Sequence, residues 1–244
     1  MELFETARAV HIAFGVLVLA SFWSAAVLPK GSRLHRRAGQ AFLWATALLL
    51  AVTLVMAAGM AASAQGKRAL FNVYVSLITV TSVWIAWRSI EDRSDVDRYR
   101  GPVCKLLCGL LGGYGLFMLS LAPLMDHPAR TALVAAFALL GLAVSASLLW
   151  RIVRGADHPH WWLSEHLTGM ALNFAATHAS FSILGLGVLL PQVKAPWTRT
   201  AILVGWMLSA LFLRLWAGRR FLRPVRASAD TVAVAMRSPL HTAP

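Results

Sequence analysis

Residues 40–62 read QAFLWATALLLAVTLVMAAGMAA, a run without a single Asp, Glu, Lys or Arg. An α-helix rises about 1.5 Å per residue, so about 20 apolar residues cross the roughly 30 Å hydrocarbon core of a bilayer. The run therefore predicts a transmembrane helix. Basic residues stand on either side of it, in the preceding GSRLHRRAG and at the following Lys67 and Arg68.

The composition extends this interpretation to the whole chain. Of its 244 residues, 58% are hydrophobic and 14% charged, with a mean hydropathy of +0.65. A soluble domain is usually about a quarter charged and just under half apolar. This excess of apolar residues excludes a soluble enzyme, a disordered tail and a nucleic-acid-binding domain. The net charge of +13 comes from short basic segments between the apolar runs, a pattern typical of loops that face anionic headgroups.

Seven stretches are long and apolar enough to span a bilayer, and the sequence predicts an all-α polytopic membrane bundle. We place the spans at residues 6–29, 40–62, 69–88, 103–123, 131–150, 162–190 and 198–217. Residues 1–223 then form one seven-span bundle, and residues 224–244 a flexible cytoplasmic tail. The fourth span carries a glycine-rich face for close helix packing, made of Gly109, Gly112, Gly113 and Gly115.

The distribution of basic residues predicts the orientation of the bundle. One set of alternate loops carries 17 of the 23 Lys and Arg residues, and the other set carries the remaining six. Because the more basic loops are retained in the cytoplasm, we predict an outer N-terminus and a cytoplasmic C-terminus. The Arg- and Ala-rich composition favours a bacterial source and hence a multi-pass protein of the inner (plasma) membrane.

Histidines are the most informative polar residues inside the predicted spans, because ionisable groups are costly there and are often functional. By depth in the membrane, four of them form two couples. His35 pairs with His166 on the inner side, and His11 pairs with His178 in the outer half. On the sixth span one polar stripe faces the bundle interior, comprising His166, Gly169, Asn173, Thr177 and Ser180.

Three interpretations of these histidines remain open. The first is bis-histidine b-type haem, in which each iron takes an axial ligand from each of two facing helices. Arg36 or Arg37 would then neutralise a propionate, and Gly15 and Gly169 would let the flat macrocycle approach a helix. The second is another metal bound by the same four histidines, and the third is hydrogen bonding between helices. Glu165, which precedes His166, could orient that ring or act as a base.

The segment around the first two spans carries a family resemblance. Residues 11–20 read HIAFGVLVLA and residues 30–40 read KGSRLHRRAGQ. They resemble an uncharacterised family of bacterial predicted membrane proteins, a domain of unknown function, with H-x-x-x-G on the first helix and H-R-x-x-G at the second. A later helix that opens with His and carries Met four residues on also matches, here as His166 and Met170. The resemblance implies functional positions at His11, Gly15, His35, Arg36, Gly39 and His166.

A more distant similarity is to the transmembrane two-haem b-type cytochromes that accept electrons from ascorbate-like donors. Our first functional hypothesis is accordingly a small haem-binding protein that moves electrons from a quinol-like lipid donor to an acceptor within the bilayer. The second is a non-catalytic accessory or assembly subunit of a larger membrane complex. A small-molecule carrier is a third, and no inverted repeat favours it. Whether the chain is an enzyme is left open by the sequence.

Overall fold

The computed structural model describes residues 2–155, 159–185, 190 and 195–222. In these ranges the chain forms an all-α bundle with no strand, as the sequence predicts. The helices are α1 (Glu2–Val27), α2 (Arg33–Ala62), α3 (Gly66–Glu91), the short α4 (Val96–Tyr99), α5 (Pro102–Leu121), α6 (Pro128–Arg154), α7 (Trp161–Ser180) and α8 (Pro196–Phe221). A 3₁₀ turn, Ala122–Leu124, extends α5, and a π-helical turn, Phe181–Gly185, extends α7.

Six of these helices are long and apolar enough to cross a membrane, namely α1, α2, α3, α5, α6 and α8. The chain is therefore an integral membrane protein. The remaining predicted span, 162–190, corresponds to α7 and its π-helical turn, and residues 186–189 lie outside the described part of the chain. Helix α7 is not among the six because Ser, Thr, His, Asn and Glu residues interrupt its apolar sequence. The predicted cytoplasmic tail, 224–244, also lies outside the described residues.

Most helices extend beyond the apolar runs, because local caps let the polar ends continue the helix. Helix α2 begins at Arg33, seven residues before its apolar run, since the Ser32 hydroxyl accepts a hydrogen bond from the backbone N–H of His35 at 3.1 Å. The His127 ring caps α6 in the same way, accepting from the backbone N–H of Ala129 at 3.1 Å. Between α1 and α2 the chain turns at Gly31, whose φ of +77° favours glycine.

Two clusters of buried side chains form the core. The first is shared by α3, α5 and α6, and its fully enclosed members are Tyr74, Ile85, Cys104, Leu111, Met118, Ala138 and Leu148. The second lies among α1, α2, α7 and α8, and consists of Val18, Phe22, Phe42, Ala45, Phe174, Ala175 and Ala210. Helix α7 joins the two clusters, because it packs on α3 at one face and on α8 at another.

One end of the bundle is where α1, α3, α6 and α8 end and where α2, α5 and α7 begin. We call it the basic end. Contacts between residues near these helix ends bring them to one level, since His35 bonds to α1, His166 to α3 and Arg214 of α8 to α7. The basic end corresponds to the side with the more basic loops. Its cytoplasmic placement stays a prediction.

Candidate histidine site at the basic end

His35 lies in the first turn of α2, and its ring is held by the end of α1. The ring Nδ1 is 2.9 Å from the carbonyl oxygen of Ala25. Because a carbonyl only accepts hydrogen bonds, this contact puts the proton of the neutral ring on Nδ1 and leaves a lone pair on Nε2. The structure gives no hydrogen bond to His35 Nε2 within the residues it describes.

His166 has the same arrangement one helix pair away. Its Nδ1 is 2.7 Å from the carbonyl oxygen of Ala86 on α3, so its Nε2 also carries the lone pair. The close approach depends on Gly169, one turn further along α7. A Cβ placed on Gly169 would lie 2.6 Å from the Ser82 carbonyl oxygen and 2.7 Å from the Ala86 nitrogen. Only glycine lets the two backbones come this close.

These two histidines are the predicted inner couple, and the structure places them within electrostatic range of each other. His35 and Lys30 both lie close enough to His166 to act on it electrostatically. Histidines that bind metals commonly donate Nδ1–H to a backbone carbonyl, which fixes the tautomer and aims Nε2. Both rings therefore have the tautomer that metal-binding histidines commonly have, with the proton on Nδ1 and the lone pair on Nε2.

The end of α1 adds positive charge beside the couple. Lys30 donates its ammonium protons to the carbonyl oxygens of Ala25, at 3.1 Å, and of Ala26. Partial burial lowers the pKa of Lys30 below its usual value. The Ala25 carbonyl thus accepts from both Lys30 and His35. In contrast, Arg36, the predicted partner of a propionate, is exposed and donates to the Gly31 carbonyl at 2.8 Å.

A further cation at this level escaped the sequence analysis. Arg214 of α8 donates its Nε–H to the Thr168 hydroxyl at 2.8 Å and one Nη2–H to the Ser164 hydroxyl at 2.7 Å. Ser164 and Thr168 flank His166 on α7 and face α8. The sequence signal for this contact is the pair of hydroxyls at positions i and i+4, which lies on a different face of α7 from the stripe that begins at His166.

Glu165 has a different role from the one that its place in the sequence predicts. Its carboxylate accepts from Arg151 of α6 at 3.0 Å and from the Tyr99 hydroxyl at 3.4 Å, rather than orienting His166. Arg151 and Glu165 are nearly enclosed, with side chains 7% and 13% exposed. Tyr99 stacks between the Trp84 and Trp161 rings at centroid distances of 5.0 and 5.1 Å. Burial and, secondly, the Glu165 carboxylate raise the pKa of Tyr99 well above its usual value.

His178, assigned by the sequence to the outer couple, is fully engaged in an aromatic box. Its Nδ1 donates to the Phe174 carbonyl at 2.8 Å, and its Nε2 accepts from the Trp23 indole N–H at 3.0 Å. The rings of Phe22, Trp23, Phe174 and Trp206 surround it, with centroid distances of 4.2 to 6.0 Å. No lone pair is left for a metal or a haem iron in this arrangement.

His11 lies apart from His178. Its Nδ1 is 3.1 Å from the Thr53 hydroxyl oxygen, and that hydroxyl donates to the Leu49 carbonyl at 2.8 Å, so the ring donates. Trp23, the partner of His178, is 12 residues further along α1, about 18 Å along the helix axis. The structure therefore does not assemble the outer couple.

The glycines chosen from the sequence also separate into two kinds. Gly15 has open space where a side chain would be, as expected of a surface that a flat ligand could approach. Gly169 does not, because α3 occupies that face, and the prediction that a macrocycle lies against it is wrong. On α5, Gly112 and Gly115 meet Ser145 and Leu142 of α6, while Gly109 and Gly113 face open space.

The described residues provide no third metal ligand beside His35 and His166. Across residues 2–155, 159–185 and 195–222, no group of three or more His, Cys, Asp or Glu side chains is placed to hold a metal ion. Cys104 and Cys108 are buried free thiols in the first core cluster. Comparisons with protein-family models, with curated proteins and with solved structures find no match for this chain.

Proposed function

We propose that this integral membrane protein binds one b-type haem between His35 and His166 and carries electrons within the bilayer. The proposal rests on the shared geometry of the two rings, since each donates Nδ1–H to a helix carbonyl and neither Nε2 has a hydrogen bond to any residue that the structure describes. The two rings come from different helices, α2 and α7, as axial ligands on opposite faces of a haem must. The proposal keeps the inner couple of the sequence analysis and gives up the outer one.

The number of protein ligands favours haem over a bare metal ion. A metal held by side chains alone usually takes three or four of them. Among the described residues no such group exists, and the candidate site offers two histidines. Haem supplies four ring nitrogens to its iron and requires only two axial ligands, which matches this donor set. Bound haem would supply reversible one-electron chemistry.

The surrounding charges suit an anionic cofactor. Lys30 acts electrostatically on His166, Arg214 bonds to the hydroxyls two residues before and after it, and both cations have hydrogen-bond partners that are neutral carbonyls or hydroxyls. Glu165, the nearest carboxylate to the couple in sequence, is neutralised by Arg151. We therefore assign the neutralisation of a haem propionate to Lys30 and Arg214 instead of Arg36. A quinol-like lipid is the donor class in this proposal, since the site lies near the membrane interface.

The test is the visible absorption spectrum of the full chain, purified in mild detergent after expression with ample haem and reduced with dithionite. We expect a sharpened α-band of b-type haem that is lost in His35→Ala and in His166→Ala. The control His127→Ala removes a helix cap near the opposite end of the bundle and should keep the band. A chain without haem, or an unchanged haem content in His166→Ala, would refute the proposal.

A methionine variant separates a ligand from a structural histidine. Methionine cannot donate to the Ala86 carbonyl, but its sulfur can bind haem iron and raises the reduction potential. We therefore expect His166→Met to retain haem with an altered spectrum and a higher midpoint potential. If His166 only ties α7 to α3, His166→Met and His166→Ala should behave alike.

The second function, an accessory subunit, draws support from α5. Gly109 and Gly113 have no neighbour within 4 Å of a Cβ placed on them, so this part of the glycine face is not used by the described part of the chain. Small residues allow a helix of another subunit to approach. A stable partner that co-purifies with the wild type and is lost in Gly109→Leu and Gly113→Leu would favour this function.

A further inference from the structure

A second candidate site lies at the basic end, away from the histidine couple in the helices that line it. A cleft of about 490 Å³ opens where α3 ends, α4 crosses and α5 begins. Its walls are formed by aromatic, apolar and basic side chains, chiefly Trp84, Trp87, Arg88, Arg98, Tyr99 and Val103. No acidic side chain lines the cleft.

Two basic side chains line the cleft and share one carboxylate. Arg88 and Arg98 both pair with the fully buried carboxylate of Asp92, at 2.6 and 3.3 Å. Two other carboxylates of the same loop have partners of their own, since Asp95 accepts from the backbone N–H of Arg98 and Asp97 pairs with Arg100. The Arg98 side chain is 67% exposed and is therefore accessible to a ligand.

An apolar track leads from the cleft along the bundle surface. On α5, Val103, Leu106 and Leu110 share one helix face and are about half exposed. On α3, Trp87 and Val80 form a matching face two turns long, and Trp87 lines the cleft itself. A molecule with its anionic head in the cleft would thus have its tail against exposed apolar side chains. A free phosphate would leave this track unused.

We propose that the cleft binds the phosphate headgroup of an anionic phospholipid, with one acyl chain lying between α3 and α5. Arg88 and Arg98 recognise the phosphate, since guanidinium groups suit phosphate oxygens in charge and geometry. Trp87 lines the cleft with Arg88 over its ring at 5.5 Å, and tryptophan is a residue typical of the headgroup level of a membrane. This site is independent of the haem proposed between His35 and His166.

The experiment is a lipid titration of the detergent-solubilised full chain, followed by native mass spectrometry. The probes are dioleoyl phosphatidylglycerol and dioleoyl phosphatidylcholine, which share their acyl chains and differ in headgroup charge. We expect one phosphatidylglycerol to bind at least about fivefold more tightly than phosphatidylcholine, and Arg98→Gln to lower its affinity about fivefold. Arg98→Glu should lower it further. Both variants keep the Arg88–Asp92 pair and should fold.

Arg93 provides the matched control, because it is exposed on the same loop and lies outside the cleft. Arg93→Gln should change the affinity less than twofold. An equal loss of lipid affinity in Arg93→Gln and Arg98→Gln would mean that the charge of the whole loop attracts the lipid. That result would contradict a specific site in the cleft. Equal binding of the two lipids would also overturn it. Displacement of the lipid by millimolar glycerol 3-phosphate would identify a soluble phosphate as the ligand and contradict the assignment to a lipid.

Discussion

The two halves of the bundle differ in what they bury. The α3–α5–α6 half encloses an aliphatic and aromatic core completely, with Tyr74, Ile85 and Leu111 at 0% exposure. The α1–α2–α7–α8 half has a smaller core, and only 11% of the most apolar stretch of its helix α8 is buried, against 44% for the corresponding stretch of α3. Yet the four candidate histidines and Arg214 all lie in this second half.

This difference in burial indicates that the first half serves mainly as a scaffold, whereas the second half carries the candidate histidine site. Enclosed apolar packing fixes the interior of the first half, and the cleft described above lies at its end, where α3, α4 and α5 meet. The second half holds its helices with hydrogen bonds between polar groups, such as that of His35 with the Ala25 carbonyl and that of Trp23 with His178. Near the basic end the hydrogen bond from His166 to the Ala86 carbonyl joins the halves, together with two further contacts, the Arg151–Glu165 ion pair and the close approach of Gly169 to α3. Both can be broken one at a time.

The largest effect is expected from Glu165→Gln, which removes the charge that neutralises Arg151. Removing one partner of a buried ion pair typically costs about 3 kcal/mol or more, because the other charge stays in a poorly solvated place. We expect the free energy of unfolding to fall by about that amount, measured by denaturant titration in mild detergent. The control Glu91→Gln removes an exposed charge at the end of α3 and should cost less than about 0.5 kcal/mol. Equal effects would mean that the ion pair does not hold the halves together.

The second effect concerns the contact between α7 and α3. In Gly169→Ala the added Cβ would meet the backbone of α3, which cannot move aside as a side chain could. Overpacking of this kind costs about 1–3 kcal/mol, and we expect about 2 kcal/mol in the same measurement. Gly109→Ala, where the added methyl meets open space, should cause no loss. A stable Gly169→Ala variant would contradict the close packing of these two helices.

A smaller effect is expected within the second half itself. Trp23→Phe keeps an aromatic ring beside His178 but removes the indole N–H, which donates a hydrogen bond to His178 Nε2. We expect a loss of about 1 kcal/mol, typical of one hydrogen bond. Trp44→Phe is the control, because Trp44 is 73% exposed. If the two variants were equally stable, the polar contact would add nothing to the packing of the aromatic box.

The smallest effect is a pH dependence at the seam between the halves. Because the pKa of Tyr99 is raised in the folded chain, the unfolded chain loses this proton first as the pH rises. The contribution of Tyr99 to stability is thus fully present below about pH 10 and is lost as the pH climbs towards the folded pKa. The stability difference between wild type and Tyr99→Phe should be constant at neutral pH and shrink above about pH 10. A difference that stays constant in alkali would contradict the burial of this hydroxyl.

The fold was predictable because a bilayer leaves few choices. A chain in hydrocarbon must satisfy its backbone hydrogen bonds within helices, so long uncharged runs identify the spans directly. Helix caps were less visible: α2 begins at Arg33 because of Ser32, although the apolar pattern begins at Gln40. The orientation in the membrane and the family resemblance stay predictions.

The site was predictable only in part, because depth along a helix says nothing about the direction of a side chain. Depth alone paired His35 with His166 and also His11 with His178, and only in the first couple are the two rings within electrostatic range of each other. Glu165 follows the same logic, since residues adjacent in a helix point about 100° apart and Glu165 faces Arg151 while His166 faces α3. Trp23, which donates to His178, lies 155 residues away along the chain, so no sequence spacing indicates this contact.

The shared acceptor at Ala25 has a consequence for biogenesis. His35 and Lys30 are oriented by a carbonyl of the preceding helix, so the first hairpin, α1 with α2, sets one ring direction as soon as both segments have left the translocon. The opposing ring comes with α7, after α3, α5 and α6 have been inserted. If haem joins the two rings as we propose, it can bind only after α7 has been inserted, because the segments before α7 carry only one of the two ligands.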